Sequence, residues 1–330
     1  MNNSTKKLIT KSSLAIGIDV GGTKVSLGLV NREGKILKEF RQPFERKDID
    51  DFLNNLVEQI SNIKAYANGF PIEGIGIGFK GLVDYAKQKI VMSSIFPDAS
   101  DLNICEILEK KFRLPTAIDN DVKAAALAEA KLGVGQSLKH FVYINIGTGI
   151  GIGIIDEGKL IRGRNNFSGE FGKTFFQTFE KDHNFTFLES VASGRGLENE
   201  TRRLSTNYLL HNTSVEWVEG QDVFSSEIVR QYKNGDPLAQ NIIERALHFL
   251  SIGIINLEMI LNAQYYVFGG GVVDQWFIEL LKQKILYNCD KAGLVWNAEL
   301  SISKLGSNKI GLIGAAFVLF DKNTYGVNEQ

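Results

Sequence analysis

Asp19 and the run Gly21-Gly22-Thr23-Lys24 place a carboxylate, two glycines, a hydroxyl and an ammonium in one short stretch. Glycines in a turn bare their backbone N–H groups and let a polyphosphate approach closely. The Thr23 hydroxyl and the Asp19 carboxylate then fall where a phosphate and its Mg²⁺ would be. The pattern occurs a second time. After two one-residue gaps, Asn145 falls on Asp19, Gly147 on Gly21, Thr148 on Thr23, and Gly158-Lys159 on Gly34-Lys35, with Gly149 also in the second turn. Asp119-Asn120-Asp121 precedes an alanine-rich run and forms a third cluster. Gly169-Glu170-Phe171-Gly172 offers a glycine-flanked carboxylate, and Gly269-Gly270-Gly271 a third glycine turn. Together these suit phosphoryl transfer, in which a protein mainly positions groups and neutralises charge. Asp121 is the candidate base for an acceptor hydroxyl, which loses its proton as it attacks. Gly22-Thr23-Lys24 has the wrong order and spacing for a Walker A loop, and no G-x-G-x-x-G follows the first strand.

The elements that must carry these residues are legible from periodicity. Strands are expected at 14–20, 25–31 and 35–42, around a glycine turn and Asn31-Arg32-Glu33-Gly34. A helix over 49–65 gathers Leu53, Leu56, Val57, Ile60 and Ile63 on one face behind an acidic start. Further strands are expected at 74–78, 116–118, 141–162 as a hairpin, 265–268 and 299–303. Helices are expected at 102–112, after Asp121 as far as Gly133, from Asp236-Pro237 to about 262, at 275–288 and over 310–320. Asp121, at a strand end and a helix start, suits an N-cap as well as a base. Residues 200–225 read as loop and short helix.

The chain has 330 residues, enough for about two α/β domains, and a net charge of −1 without a long basic run. Nucleic acid is therefore not an expected partner. Its two cysteines, Cys105 and Cys289, have no metal-ligand spacing, which suits a reducing cytoplasm and no zinc site. Met1 to Ser13 carries lysines without an apolar core and reads as neither signal peptide nor membrane anchor. Glu244, Arg245 and Glu258 interrupt the apolar run from Ile242 to Leu261, so no membrane span is expected.

Over residues 14–320 the chain resembles the ROK family (repressor, open reading frame, kinase) of the actin/hexokinase-like ATPase superfamily. The matching pieces are the Asp19 to Lys24 stretch, Asn120-Asp121 with its helix, Gly147-Thr148-Gly149-Ile150-Gly151, Gly169-Glu170-Phe171-Gly172, Gly269-Gly270-Gly271 and Gly311-Leu312-Ile313-Gly314-Ala315-Ala316. The resemblance implies a two-domain actin/hexokinase-like (ribonuclease H-like) fold with ATP in the interdomain cleft. The first domain would be 1–120, rejoined by a helix at 311–330, and the second 121–310. It also implies an ATP-dependent kinase of a sugar or sugar derivative, cytoplasmic and a homo-oligomer, a dimer. Asp121 then matches the catalytic base, and Asn120, Glu170 and Glu189 match sugar-holding residues. Asp19 matches the residue turned toward Mg²⁺. Gly21, Gly22, Thr23, Lys24, Gly147, Thr148, Gly149, Gly269, Gly270 and Gly271 match ATP-binding turns.

Departures from the family pattern concern the acceptor. Lys173 stands where many members have a zinc-binding, sugar-touching histidine, and their cysteine motif is absent. Ile95 stands at a sugar-contacting asparagine, Lys80 at a common proline and Lys123 at an asparagine. If Lys173 and Lys80 enter the cleft, an anionic or unusual acceptor is implied; a buried lysine there would need Glu170 or Glu189 as partner. Phenylalanines 171, 175, 176, 179, 185 and 187 are expected to supply by packing what the metal supplies elsewhere. Rival readings are a catalytically silent relative that senses a sugar or nucleotide, and a chaperone-like ATPase. The latter would need a peptide-binding domain that the sequence lacks.

Overall fold

A computed structural model describes residues 13–22, 24–43, 48–180, 183–210, 217–218 and 223–325. The strands are β1 (Leu14–Val20), β2 (Lys24–Asn31), β3 (Ile36–Pro43), β4 (Ile72–Phe79), β5 (Leu82–Asp84), β6 (Lys89–Met92), β7 (Thr116–Asn120), β8 (Phe141–Ile146), β9 (Ile150–Asp156), β10 (Lys159–Ile161), β11 (Phe175–Glu180), β12 (His183–Phe187), β13 (Tyr265–Gly269) and β14 (Glu299–Ile302). The helices are α1 (Ile49–Lys64), α2 (Ile104–Phe112), α3 (Asp121–Leu132), α4 (Leu188–Ala192), α5 (Gly194–Leu210), α6 (Ser225–Lys233), α7 (Pro237–Leu261), α8 (Gln275–Ala292) and α9 (Ile310–Tyr325).

The repeat in the sequence is a repeat of topology. One five-stranded sheet runs β3-β2-β1-β4-β7 and the other β10-β9-β8-β13-β14. In the first, β1 pairs antiparallel with β2 and parallel with β4, which pairs parallel with β7. In the second, β13 lies parallel to both β8 and β14.

The chain divides into two compact units. One holds residues 1–139, 153–168 and 304–330; the other holds 140–152 and 169–303. The division expected after residue 120 is corrected: α3 stays with the first unit because it packs on α9 and on the sheet. The last helix belongs to the first unit. Leu14, Ile16, Ile18 and Val20 of β1 join Leu56, Ile60 and Ile63 of α1 and Leu108 of α2 in its core. The other face of the sheet is a glycine stripe. A Cβ on Gly76 would stand 2.0 Å from the Ala315 carbonyl, and one on Gly17 2.6 Å from the Leu312 carbonyl. The absent side chains let the backbone of α9 lie directly on the strands. Gly314 does the same for α3, where a Cβ would meet the Ala124 carbonyl at 2.3 Å.

Two stretches differ from the sequence reading. β11 and β12 pair as a hairpin, and α5 covers 200–210 of the stretch 200–225 that read as loop and short helix. The packing expected of the phenylalanines holds only in part. Phe171 is buried and Phe176 meets Phe249 edge-on at 5.4 Å, but Phe175 and Phe185 are 70% and 63% exposed and Phe187 is also exposed. Alternation puts every second ring of this hairpin in solvent. The side chain of Phe179 lies outside the described residues. Among the described residues no helix is long and apolar enough to cross a membrane.

Candidate active site

In the first unit the parallel strands β1, β4 and β7 end level, with Val20 opposite Phe79 and Phe79 opposite Asn120. Gly21, Lys80 and Asp121 follow, one residue beyond each end. Carboxyl ends of parallel strands are the usual ligand positions in such sheets. The β1–β2 turn closes through the Gly21 N–H, which donates to the Lys24 carbonyl at 3.0 Å. Thr23 falls outside the described residues.

Asn120, not Asp121, caps α3: its Oδ1 accepts from the N–H groups of Val122 (3.0 Å) and Lys123 (3.1 Å). The cap expected of Asp121 is thus corrected, and Asn120 is engaged by the fold. Asp121 is the first helical residue, set over Gly78, where a Cβ would come 3.6 Å from the Asp121 Cα. Among the described residues its Oδ1 accepts only locally, from Val122 N–H at 3.0 Å. Burial pushes its carboxyl above the usual range, and the Lys80 ammonium pulls the other way.

Asp19 lies against the first turn of α9, where a Cβ on Gly311 would stand 2.4 Å from Oδ2. Its carboxylate accepts no hydrogen bond among the described residues. Burial first, and the charge of Asp121 second, raise its pKa to about 7 against the pull of Lys24. A carboxylate short of donors and crowded by a second acid suits a cation brought by a ligand.

A buried polar cluster behind Asp121 was not foreseen from sequence. Asp119, wholly buried, accepts from Arg162 Nε (2.9 Å), Asn166 Nδ2 (3.1 Å) and its neighbour's N–H (2.8 Å). Asn166 also donates to the Val83 carbonyl, and the buried Lys123 donates to the Asn166 carbonyl, both at 2.6 Å. Arg162 stacks on Tyr85 at 3.7 Å. Lys123 therefore serves the junction that aims Asp121. Breaking one partner of such a buried pair strands a charge, so the cluster holds its geometry firmly. The signal available was the polar run Arg162 to Asn166, with Asn166 at φ +61°.

In the second unit the glycine turns come together. The Gly194 N–H donates to the Gly147 carbonyl (2.8 Å), and a Cβ on Gly270, at φ +101°, would stand 2.2 Å from the Ile146 carbonyl. Gly271 has nothing within 4 Å of such a Cβ and Thr148 is exposed, so both face open space. Gly269 sits against the Tyr143 hydroxyl. Gly149 adjoins Glu189, whose Oε2 accepts from the Ile150 N–H at 3.2 Å. The other oxygen of Glu189 accepts from Lys173 Nζ. Glu189 is thus a partner of the lysine. Glu170 is exposed and opens a short turn, with its carbonyl accepting from the Lys173 N–H at 2.9 Å. Lys173 is itself 55% exposed, so the pair adds only about 0–1 kcal/mol to stability and matters by occupying Glu189. Ile95 is buried in the core of the first unit, and its N–H donates to Ser93 Oγ at 3.2 Å.

Residues 15–322 match the ROK family. The chain belongs to the ROK family. Its fold is accordingly the two-domain α/β fold of the actin/hexokinase-like superfamily. It is 27% identical to a glucokinase of Thermotoga maritima, over 93% of this chain and 97% of that one. It is 28% identical to a xylose repressor of Caldicellulosiruptor bescii, over 93% of this chain and 78% of that protein. The structure of a ROK family glucokinase from Streptomyces griseus in complex with glucose and AMPPNP superposes with a TM-score of 0.70 at 28% identity, covering 92% and 98% of the two chains.

Proposed function

We propose that this ROK protein is an ATP-dependent kinase that phosphorylates a hydroxyl of a sugar or sugar derivative, with Asp121 as general base. The observation that carries the reading is the position of Asp121, one residue past a parallel strand end and level with the Gly21-Gly22 turn. In the proposed reaction Asp121 accepts the proton of the acceptor hydroxyl as its oxygen attacks the terminal phosphorus of ATP. In this reading the N–H groups of the Gly21-Gly22 turn would meet the phosphates, and the open space at Gly271 would leave room for a nucleotide. Mg²⁺ arriving with ATP would lie toward Asp19 and would neutralise phosphate charge. The T. maritima and S. griseus glucokinases support this class of acceptor, and the AMPPNP of the latter supports ATP as donor.

A coupled ADP-release assay over neutral, amino and acidic sugars tests the proposal. One acceptor should turn over, and Asp121→Asn should lower kcat about 10²–10⁴-fold while leaving nucleotide affinity within twofold. Full activity in that variant would remove Asp121 from the chemistry.

The Lys173–Glu189 pair favours a second reading, a catalytically silent relative that binds sugar or nucleotide as a sensor. The likeness to the xylose repressor supports it. Nucleotide binding without turnover on any acceptor would select it.

A further inference from the structure

Lys80 is a charged side chain that general-base chemistry leaves unused. The turn that carries it is fastened on both sides. Its N–H donates to the Val20 carbonyl at the end of β1 (2.9 Å), and its carbonyl accepts from Ser93 Oγ (3.2 Å). The next carbonyl, that of Gly81, accepts from Nδ2 of Asn120, the residue that caps the Asp121 helix (3.0 Å). Gly81 has φ +152° and a Cβ there would meet the Met92 carbonyl at 2.4 Å, so the turn admits no other residue without moving.

From this anchored backbone the side chain runs over the first glycine turn. A Cβ on Gly22 would stand 3.0 Å from Lys80 Nζ, 3.4 Å from its Cδ and 3.5 Å from its Cε. The glycine at 22 thus gives the lysine its path. The ammonium is near enough to Asp121 for its charge to act on that carboxyl. Among the described residues Nζ makes no hydrogen bond and no ion pair. A half-buried cation is therefore held between a phosphate-type turn and the candidate base, with no ion pair among the described residues.

We propose that Lys80 is a catalytic residue that binds the terminal phosphoryl group of the donor as it passes from the glycine turn to the acceptor. The inference rests on the kinase reading of the same site. In the step, the acceptor oxygen forms its bond to phosphorus and gives its proton to Asp121. The bond from phosphorus to the bridging oxygen breaks, and ADP leaves with that electron pair. Lys80 stays protonated throughout and donates to the non-bridging oxygens, where charge collects. A cation fixed before the reaction needs no reorganisation during it, which is why such groups are effective.

The test uses the full chain carrying Lys80→Met or Lys80→Arg, with near-ultraviolet circular dichroism to confirm folding. Calorimetric titration with ADP and with AMPPNP is the first measurement. Lys80→Met should weaken AMPPNP about tenfold more than ADP, and Lys80→Arg should recover part of the loss. On an acceptor that turns over, Lys80→Met should lower kcat at least about tenfold with acceptor KM within threefold, and should move the acidic limb of the pH profile upward. Equal losses for ADP and AMPPNP, or none, would overturn the proposal. So would a raised acceptor KM at unchanged kcat, which would make Lys80 a reader of an anionic acceptor. If the unaltered protein turns over no sugar, the kinase reading fails, yet the AMPPNP-to-ADP comparison still decides what the ammonium touches.

Discussion

Asp19 and Asp121 differ less in chemistry than in what surrounds them. Burial raises the carboxyl of Asp121 too, but a lysine beside it and a helix N–H at its oxygen both favour charge. Asp19 has the charge of Asp121 against it and no donor among the described residues, and its pKa rises from 3.8 to about 7. The sign follows from proton counts. Between about pH 4 and pH 7 the folded protein holds a proton on Asp19 that the unfolded chain has released, so stability falls as pH rises through this window. Asp19→Asn removes that loss. The ligand-free variant should match the unaltered protein near pH 4 and exceed its melting temperature by a growing margin up to pH 8, then level off. Thermal melts across pH check this, and a margin independent of pH would mean that Asp19 is ionised throughout. The same variant should lose Mg²⁺-dependent nucleotide binding, separating the cost to the fold from the use to the ligand.

Among the elements, glycine has two separate uses, and substitution tells them apart. Gly76→Ala drives a methyl into the Ala315 carbonyl, 2.0 Å from the Cβ, and both groups are backbone-anchored. Overpacking of this kind costs about 1–3 kcal/mol, so denaturant midpoints should fall clearly. Gly271→Ala meets nothing within 4 Å, and stability should stay within about 0.5 kcal/mol while nucleotide affinity drops severalfold. Equal effects at the two positions would refute the distinction. The paired hairpins were legible because strand, glycine turn and strand recur with the same exit, and a repeated topology follows from a repeated pattern. The hairpin of β11 and β12 was not. Phe175-Phe176-Gln177-Thr178 alternates only once the faces are known, since apolar rings lie on both. Helix α5 opens at Gly194 and Gly196, which argue against a helix locally. The Gly147 carbonyl that receives the Gly194 N–H is 47 positions away in the chain, beyond the reach of local pattern. The place of Asp121 between a strand end and a helix start was legible in the sequence. The Arg162–Asp119–Asn166 cluster was not, because its members meet only after β7 and the segment past β10 are brought together.

For the whole molecule, the chain order of the two units decides what can fold alone. The first unit is assembled from three separate stretches, the last of them residues 304–330. In that stretch Ile310, Leu312, Ile313, Phe317, Val318, Leu319 and Phe320 are each no more than 6% exposed. Burial of a large apolar side chain is worth about 1.5–3 kcal/mol, so these seven represent roughly 10–20 kcal/mol. That matches or exceeds the about 5–15 kcal/mol by which a domain is stable at all. The glycine stripe of the first sheet sharpens the effect, because Gly17, Gly28, Gly74 and Gly76 offer no side chain on that face to collapse over the gap. A chain ending at Ser303 should therefore keep much of its far-ultraviolet dichroism while losing its near-ultraviolet signal and its cooperative melt, and it should bind an apolar dye. A sharp thermal transition in the shortened chain would show that the first unit closes without its final helix, and that the glycine stripe has another role.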